Sequence, residues 1–434
     1  MRCADPLLVL GLVCLAQSAT APTRVLRLEE AEALARRHQP QLMQAAANVE
    51  IARAREVQAR APLLPQVNAT SLFLISKGQY ARVGNSAAVP LSSGTDNGPL
   101  MVISFGANVT QTLWDFGAIE RYRASIRLVE AQRATARANW LTVLLTVRRA
   151  YFNAQAQHAL VGVADETLAD QTRHLEQIEE FVKAGLRTGI DLAQTKTAVA
   201  NAQLQLINAR ANAQVATATL AQAIGAPDLE NFMVADEQLA PLPEENDALD
   251  SLVELAFMQR PELDSLRKQA DAQAQTILAA RAGWVPSLSA SGSFAEAGQT
   301  PTKLGPNWSA SANLSWNLLA GGMTVGQTDE ALATARSIQA QFEQVRLQAR
   351  ADVEIARAQL HAQLGAITAA QSALEAARAQ RELAEGRYKE GVGSILELTD
   401  AEVQVTTAGV QLVQARLNVS TARAQLAAAL GSMP

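Results

Sequence analysis

NWSASANLSWNL, residues 307–318, alternates without a break. Trp308, Ala310, Ala312, Leu314, Trp316 and Leu318 are apolar, and Asn307, Ser309, Ser311, Asn313, Ser315 and Asn317 between them are small and polar. Successive strand side chains point to opposite faces, so this spacing predicts a β-strand with one oily and one wet face. At ~3.3 Å per residue and a tilt of ~45°, the stretch rises about 28 Å, close to the ~25 Å apolar band of an outer-membrane barrel. A single strand of this kind would equally suit the edge of a sandwich.

Three more segments repeat the pattern. From Pro99 to Leu113, Met101, Ile103, Phe105, Ala107, Val109 and Leu113 face Ser104, Gly106, Asn108, Thr110 and Thr112. From Ser287 to Phe294, Leu288, Ala290, Gly292 and Phe294 alternate with Ser287, Ser289, Ser291 and Ser293. Val67 to Ser76 is weaker, because Leu72 and Leu74 interrupt its polar face. The predicted strands are therefore 67–76, 99–113, 287–295 and 307–318. Trp114, Trp284, Trp308 and Trp316 lie in or beside them, as expected of aromatic girdles at a membrane boundary. The smallest outer-membrane barrels have ~8 strands, and in lipid an open sheet edge leaves backbone groups unpaired. Several chains must then share one barrel.

The rest of the composition points to helices. Of 434 residues 48% are hydrophobic but only 4% aromatic, and alanine supplies much of the difference. Alanine is the best helix former and lets helices approach closely, which favours long, tightly packed helices over a thick core. A formal charge of −5 offers no basic surface for nucleic acid. Arg2, the apolar run Leu7 to Leu15 and the small residues that follow predict a signal peptide over residues 1–19, cut after Ser18 or Ala19. It would remove both cysteines, Cys3 and Cys14, and with them any disulfide or thiol chemistry. Cys14 as a lipid-anchor site is disfavoured by Gly11-Leu12-Val13 before it, which puts Gly11 rather than a leucine three places upstream. No later run of ~18 apolar residues predicts a membrane-spanning helix.

The chain is written twice. His38-Gln39-Pro40-Gln41-Leu42 recurs as Gln259-Arg260-Pro261-Glu262-Leu263, Pro65 as Pro286 and Phe73 as Phe294, each 221 positions on. Ala107-Asn108-Val109 recurs as Ala312-Asn313-Leu314 after 205, because the first strand-to-strand loop is 16 residues longer. Lys183-x-Gly185 recurs as Lys389-x-Gly391, Leu192 as Leu398 and Gly225 as Gly431, 206 apart. A first repeat over 20–226 and a second over 251–434 each run helix, strand, loop, strand, long helix, glycine break, helix. Residues 227–250, with Pro241, Pro243 and several acids, read as the linker between them. Lys77 to Gly98 and Ala297 to Pro306 read as loops. No domain is expected beyond the second repeat.

The helices keep a sevenfold period. Leu412, Val419 and Leu426 with Ala415, Ala422 and Ala429 answer to Leu206, Ala213, Leu220, Ala209, Ala216 and Ala223. Such repeats wind helices into left-handed coiled coils. Residues 115–226 contain no proline, and Ala118 to Val182 as one helix would be about 100 Å long, so it must project beyond the barrel.

Taken together, the chain resembles the TolC-like outer-membrane factors of Gram-negative bacteria, from about Val25 to Gly431. The resemblance rests on the duplicated Pro-x-Leu helix openings and on the corners Trp114-Asp115-Phe116-Gly117 and Leu319-Ala320-Gly321-Gly322. It rests also on the turns Gly185-Leu186-Arg187-Thr188 and Gly391-Val392-Gly393-Ser394. It implies an α+β membrane protein: a homotrimer whose chains give four strands each to a 12-stranded β-barrel, above a long α-helical coiled-coil tunnel in the periplasm. It also implies a passive exit duct in the outer membrane. An inner-membrane transporter of RND or ABC type would feed it through a periplasmic adaptor protein, in efflux or type I secretion.

The glycine turns are the natural periplasmic tips, since a helix must reverse there and glycine accepts the required φ. By matching motif, Gly185, Leu186, Arg187 and Thr188, with Gly391, Val392 and Ser394, would dock the adaptor; Gly393 stands where an arginine is common. Glu397 and Asp400, spaced i, i+3, share one helix face. In resembling proteins such acids line the narrowest point of the tunnel, where threefold symmetry would gather six carboxylates. That ring would favour cations, bind divalent ions and raise some carboxyl pKa values by mutual repulsion. Tyr388 and Asp191 match positions that hold the tip closed; helix capping and packing are the plainer reading of both.

No enzymatic constellation is visible. The four histidines, His38, His158, His174 and His361, have no partner at metal-ligand spacing, and no Gly-Lys-Ser/Thr phosphate loop occurs. No cofactor is expected, and an outer-membrane enzyme would lack catalytic residues. The competing structural reading is a periplasmic coiled-coil adaptor or scaffold. Membrane-length amphipathic strands are superfluous to either.

Overall fold

The computed structural model describes residues 24–76, 81–83, 87–89, 100–226 and 232–432. The proposed signal peptide with both cysteines, most of the 77–98 loop and linker residues 227–231 lie outside the described residues.

The first half runs β1 (Arg24–Leu26), α1 (Leu28–His38), α2 (Pro40–Arg60), β2 (Gln66–Ser76), a small hairpin β3 (Ala81–Val83) and β4 (Ala87–Val89), β5 (Leu100–Trp114), α3 (Phe116–Lys183) and α4 (Gly189–Ile224). After β6 (Phe232–Val234) come α5 (Leu249–Gln259), α6 (Pro261–Arg281), β7 (Ser287–Thr300), β8 (Lys303–Ser315), α7 (Met323–Lys389) and α8 (Ile395–Leu430). α3 and α7 are continuous over 68 and 67 residues, each about 100 Å at the standard rise. Proline opens α2 and α6, where its missing N–H costs nothing. It also holds the preceding Gln39 and Arg260 extended, which ends α1 and α5. No helix is long and apolar enough to cross a membrane among the described residues.

The chain divides into two compact units that cut across both halves. One comprises Pro40–Val143, Pro241–His361 and Gln425–Pro434. Its centre is an antiparallel sheet in the order β2-β5-β7-β8. Cross-strand rows keep the faces distinct: Val67, Val109, Gly292 and Ala310 form one apolar row, and Ala69, Ala107, Phe294 and Trp308 the next. Asn68, Asn108, Ser293 and Ser309 form a polar row on the other face. Ser293 with Ser309 and Ser291 with Ser311 share hydrogen bonds of 2.8 Å across it. β2 and β8 are the sheet's two edges.

Three details depart from the sequence reading. A bulge between Thr112 and Trp114 sets Trp114, not Leu113, opposite Leu288. The β7–β8 hairpin runs on through most of the stretch read as a loop, with Thr300 opposite Lys303. Gly298 permits this, because a Cβ there would collide with the Lys303 carbonyl oxygen. At its other end β8 stops at Ser315, which faces the first residue of β7, so Trp316 to Leu318 have no ladder partner; the Trp316 indole donates instead to the Trp284 carbonyl (3.1 Å).

The other unit comprises Met1–Gln39, Leu144–Ala240 and Ala362–Ala424. β1 and β6 pair in parallel, fastened by the buried Tyr151, whose hydroxyl lies 3.2 Å from the Leu26 carbonyl and 3.3 Å from that of Ala235. Burial, then the neighbouring Glu237 carboxylate, push this phenol far above its ordinary range. Arg148 donates to Glu32 (2.6 Å) below it, both largely buried.

One joint is built once in each unit. Gln39 Nε2 donates to the Ala223 carbonyl (2.8 Å), and Arg260 Nε, 221 positions later, donates to that of Ala429 (2.6 Å). Beside each contact a glycine ends the helix at positive φ, Gly225 (79°) and Gly431 (76°). At Gly225 a Cβ would lie 2.8 Å from the His38 carbonyl oxygen, so close approach as well as φ requires glycine.

Candidate functional site: the paired helical turns

Both glycine-broken turns lie in the second of these units and share one backbone solution. After α3, the Leu186 amide reaches the Phe181 carbonyl (2.8 Å) and the Gly185 amide that of Val182 (3.0 Å), with Gly185 at φ 72°. After α7, the Val392 amide reaches the Arg387 carbonyl (3.1 Å) and the Gly391 amide that of Tyr388 (3.1 Å), with Gly391 at φ 76°. These are Schellman closures, which satisfy the last carbonyls of a helix with a left-handed residue.

The side chains then diverge. Thr188 caps α4 and forms a capping box with Asp191: the Asp191 amide donates to Thr188 Oγ1 (3.4 Å) and the Thr188 amide to Asp191 Oδ2 (3.3 Å). Ser394 stands 206 positions after Thr188, and its hydroxyl accepts the Leu396 amide (3.2 Å). Glu397, the counterpart of Asp191, does not close a box; it pairs with Arg387 Nε at 3.2 Å, both well exposed.

Tyr388 joins the two turns. It is 2% exposed, in a cluster with Ile178, Ala384, Leu398 and Ala401 that Val182, Leu192 and Ile395 extend. The Arg187 guanidinium lies over its ring, 4.3 Å from the centroid, and donates to its carbonyl oxygen (3.1 Å). Burial pushes the Tyr388 phenol up; Arg187 opposes the shift and the Asp191 charge adds to it. Gly393, at Arg187's counterpart, has no room for a side chain: a Cβ would lie 2.9 Å from the Tyr388 amide nitrogen.

Of the residues singled out in the sequence, Tyr388, Arg187 and Asp191 are brought together. Glu397 and Asp400 are not part of that contact. They sit on the exposed face of α8, while Leu398 and Ala401 between and beside them are buried in the cluster. Gly185, Leu186, Thr188, Gly391, Val392 and Ser394 are all exposed, and Leu186 and Val392 present 71% of their surfaces to solvent. Ile190 and Leu396, again 206 apart, are exposed beside them.

A polar seam behind the turns escaped the sequence reading. Between α3 and α8, Thr167 and Thr406 hydroxyls lie 3.2 Å apart and Gln171 Nε2 donates to Glu402 (2.6 Å). Between α3 and α7, Arg381 donates to Asp170 (2.9 Å) and the His174 ring lies against Tyr388. A groove of about 300 Å³ runs over it, between Val163 and Gln171 on α3, Leu374 on α7 and Val405 on α8. Burial holds the Glu402 carboxyl above its usual range despite the Gln171 amide. The spacing of Thr167 with Gln171 and of Glu402 with Thr406, i and i+4 on each helix, was the one available signal.

Residues 32–226 and 252–432 match the family described as outer membrane efflux protein, and the chain belongs to that family. Among relatives, it is 27% identical over 314 residues to the pyoverdine export outer membrane protein OpmQ of Pseudomonas aeruginosa, covering 71% of this chain and 65% of that protein, just under two thirds of its length. It is 25% identical over 356 residues to the outer membrane protein TolC of Vibrio cholerae, covering 77% of this chain and 74% of TolC. Among solved structures, the outer membrane protein VceC of Vibrio cholerae superposes with a TM-score of 0.80 at 20% identity, covering 93% of this chain and 96% of that one. The fold is therefore TolC-like, and the protein is one of the bacterial outer membrane, its long helices lying in the periplasm.

Proposed function

We propose that the chain is one subunit of a trimeric outer-membrane channel, the passive exit duct of a tripartite efflux or type I secretion system. The observation that carries this reading is the four-stranded sheet with an oily face and two open edges, β2 and β8. Such edges cannot face lipid, so neighbouring copies must pair them, and three copies give twelve strands. A periplasmic adaptor or scaffold, the alternative, has no use for this sheet. The duplicated Gln39 and Arg260 joints support two structural repeats, 20–226 and 251–434, around a linker at 227–250.

The turns are the duct's periplasmic end. Gly185, Leu186, Arg187 and Thr188, with Gly391, Val392 and Ser394, form the adaptor-docking surface, where the exposed Leu186, Ile190, Val392 and Leu396 supply apolar contact. Glu397 and Asp400 point away from the subunit's own core, and in a threefold ring they form a cation-favouring gate. Arg187, Tyr388 and Asp191 hold that end closed. An inner-membrane transporter supplies the energy, and cargo choice rests mostly with it; the likeness to a pyoverdine exporter puts siderophores among the candidates.

Native mass spectrometry of the detergent-extracted protein, followed by conductance in a planar bilayer, tests the assembly. Three times the mature chain's mass with a small cation-favouring conductance is expected; a monomer without pore activity, or a protein soluble without detergent, would refute the shared barrel. For the gate, Glu397→Ala with Asp400→Ala is expected to raise conductance and abolish block by divalent cations, and persistent block would remove these acids from it.

A further inference from the structure

We propose that His174 is a positioning residue that makes closure of the turns acid-sensitive: protonating its imidazole drives the ring away from Tyr388 and loosens both turns. The inference rests on the reading of the turns as the closed end of a duct.

His174 lies on α3, eleven residues before Gly185, and is 8% exposed. Its ring centroid is 5.8 Å from that of Tyr388, and neither His174 Nε2 nor Tyr388 Oη, both buried, has a hydrogen-bond partner among the described residues. Two orphaned polar atoms on neighbouring rings are unusual in a folded interior, where nearly all such groups are paired. Arg187 lies over the Tyr388 ring as well. Tyr388, which touches α3 and the first turn, therefore abuts a group that can change charge.

The surrounding charges do not rescue a protonated ring. On α3, Asp170 is held by Arg381 and by Arg173. On α7, Glu385 is held by Lys389 (2.6 Å), whose own charge opposes a cation nearby. On α8, Glu402 accepts from Gln171, and on α4 Asp191 is committed to its capping box. A proton on Nε2 would thus charge a buried ring whose Nε2 has no acceptor among the described residues, with the Gln177 side chain left to bond the imidazole.

The pH dependence follows from the direction of the shift. Burial is the largest influence and holds the His174 imidazole below its ordinary range; Glu385, the Gln177 side chain and Asp170 pull the other way, and Lys389 adds to the depression. A base whose closed-state pKa is depressed favours closure while it is neutral. That contribution is complete above the usual histidine pKa of about 6.5 and is lost as pH falls below it. Glu402 acts in the opposite sense, since acid relieves its buried charge; with its carboxyl raised, its window extends upward from the usual carboxylate pKa, so it offsets the His174 response.

The test is amide hydrogen exchange of the full-length, detergent-extracted protein at pH 7.5 and 5.5, corrected for intrinsic rates, with bilayer conductance measured in parallel. In the wild type, segments 181–194 and 387–401 are expected to exchange faster at pH 5.5, by up to about tenfold, because pH 5.5 lies about one unit below the usual histidine pKa. His174→Phe should abolish that response and keep the pH 7.5 pattern, whereas Tyr388→Phe, which removes one orphan and leaves the imidazole, should keep the response. Wild-type exchange that ignores pH overturns the proposal even if His174→Phe does not fold, and so does a response that survives in His174→Phe. If acid speeds exchange while neither acid nor the Glu397 and Asp400 double variant changes conductance, the switch stands and the gate reading falls. If the double variant opens the pore and exchange stays pH-independent, the gate stands and the role of His174 falls.

Discussion

The first turn and the second have the same backbone and different fastenings. Gly185 and Gly391 close their helices with the same pair of amide-to-carbonyl bonds at nearly equal φ. Yet the first turn spends its acid, Asp191, on its own cap and sends Arg187 across to Tyr388, while the second leaves Glu397 outside the cap and carries no side chain at Gly393. Both turns keep what the backbone needs, a left-handed residue after each helix. The side chains were then free to specialise, so that one turn holds and the other is held.

Tyr388 is where that asymmetry is concentrated, and truncating it is the most damaging change. Tyr388→Ala should destabilise the turns by about 3–5 kcal/mol, the cost of deleting a buried aromatic side chain. Exchange should quicken in both turns together, read by mass spectrometry on peptides spanning each. If only the second turn responds, Arg187 does not couple them and the division into holder and held is wrong.

A smaller change tests the empty position. Gly393→Ala forces a Cβ against the backbone of Arg387 and Tyr388 and should cost about 1–3 kcal/mol, with the turn displaced. Gly391→Ala meets nothing but must hold φ 76°, at about 1–2 kcal/mol. The two costs have separate origins, so thermal melting of the double variant should show them adding; a strongly sub-additive result would mean that one displacement relieves both.

These contrasts also mark what the sequence could and could not reveal. The glycine turns and the oily-and-wet strands were legible because each rests on a local rule, positive φ for Gly185 and Gly391 and a period of two for residues 307–315. The family followed from their duplicated order. Contacts between residues some two hundred positions apart were not legible. Nothing in the sequence pairs Arg187 with Tyr388, or Gln171 with Glu402, and His174 shows no helical partner that would single it out among four histidines. Local composition misled at Ala297 to Pro306, where glycine, proline and threonine suggested a loop and the ladder with β7 imposed a strand. Residue 113 failed for a related reason: alternation runs smoothly through a bulge that only the neighbouring strand defines.

The finest test concerns the caps. Thr188→Ala breaks a reciprocal box and should cost about 1 kcal/mol, while Ser394→Ala removes a single bond to the Leu396 amide and should cost about half as much. The effect should be local, with faster exchange in the first turn of α4 for one variant and of α8 for the other. The difference arises because Asp191 is tied to the cap and Glu397 is not, so Thr188→Ala also loosens an acid whose charge acts on Tyr388, whereas Ser394→Ala leaves the Glu397 pair with Arg387 intact. Equal losses at the two ends would mean that Glu397 contributes to capping after all. In that case the second turn is a copy of the first, and a role for its acid beyond the cap has no structural support.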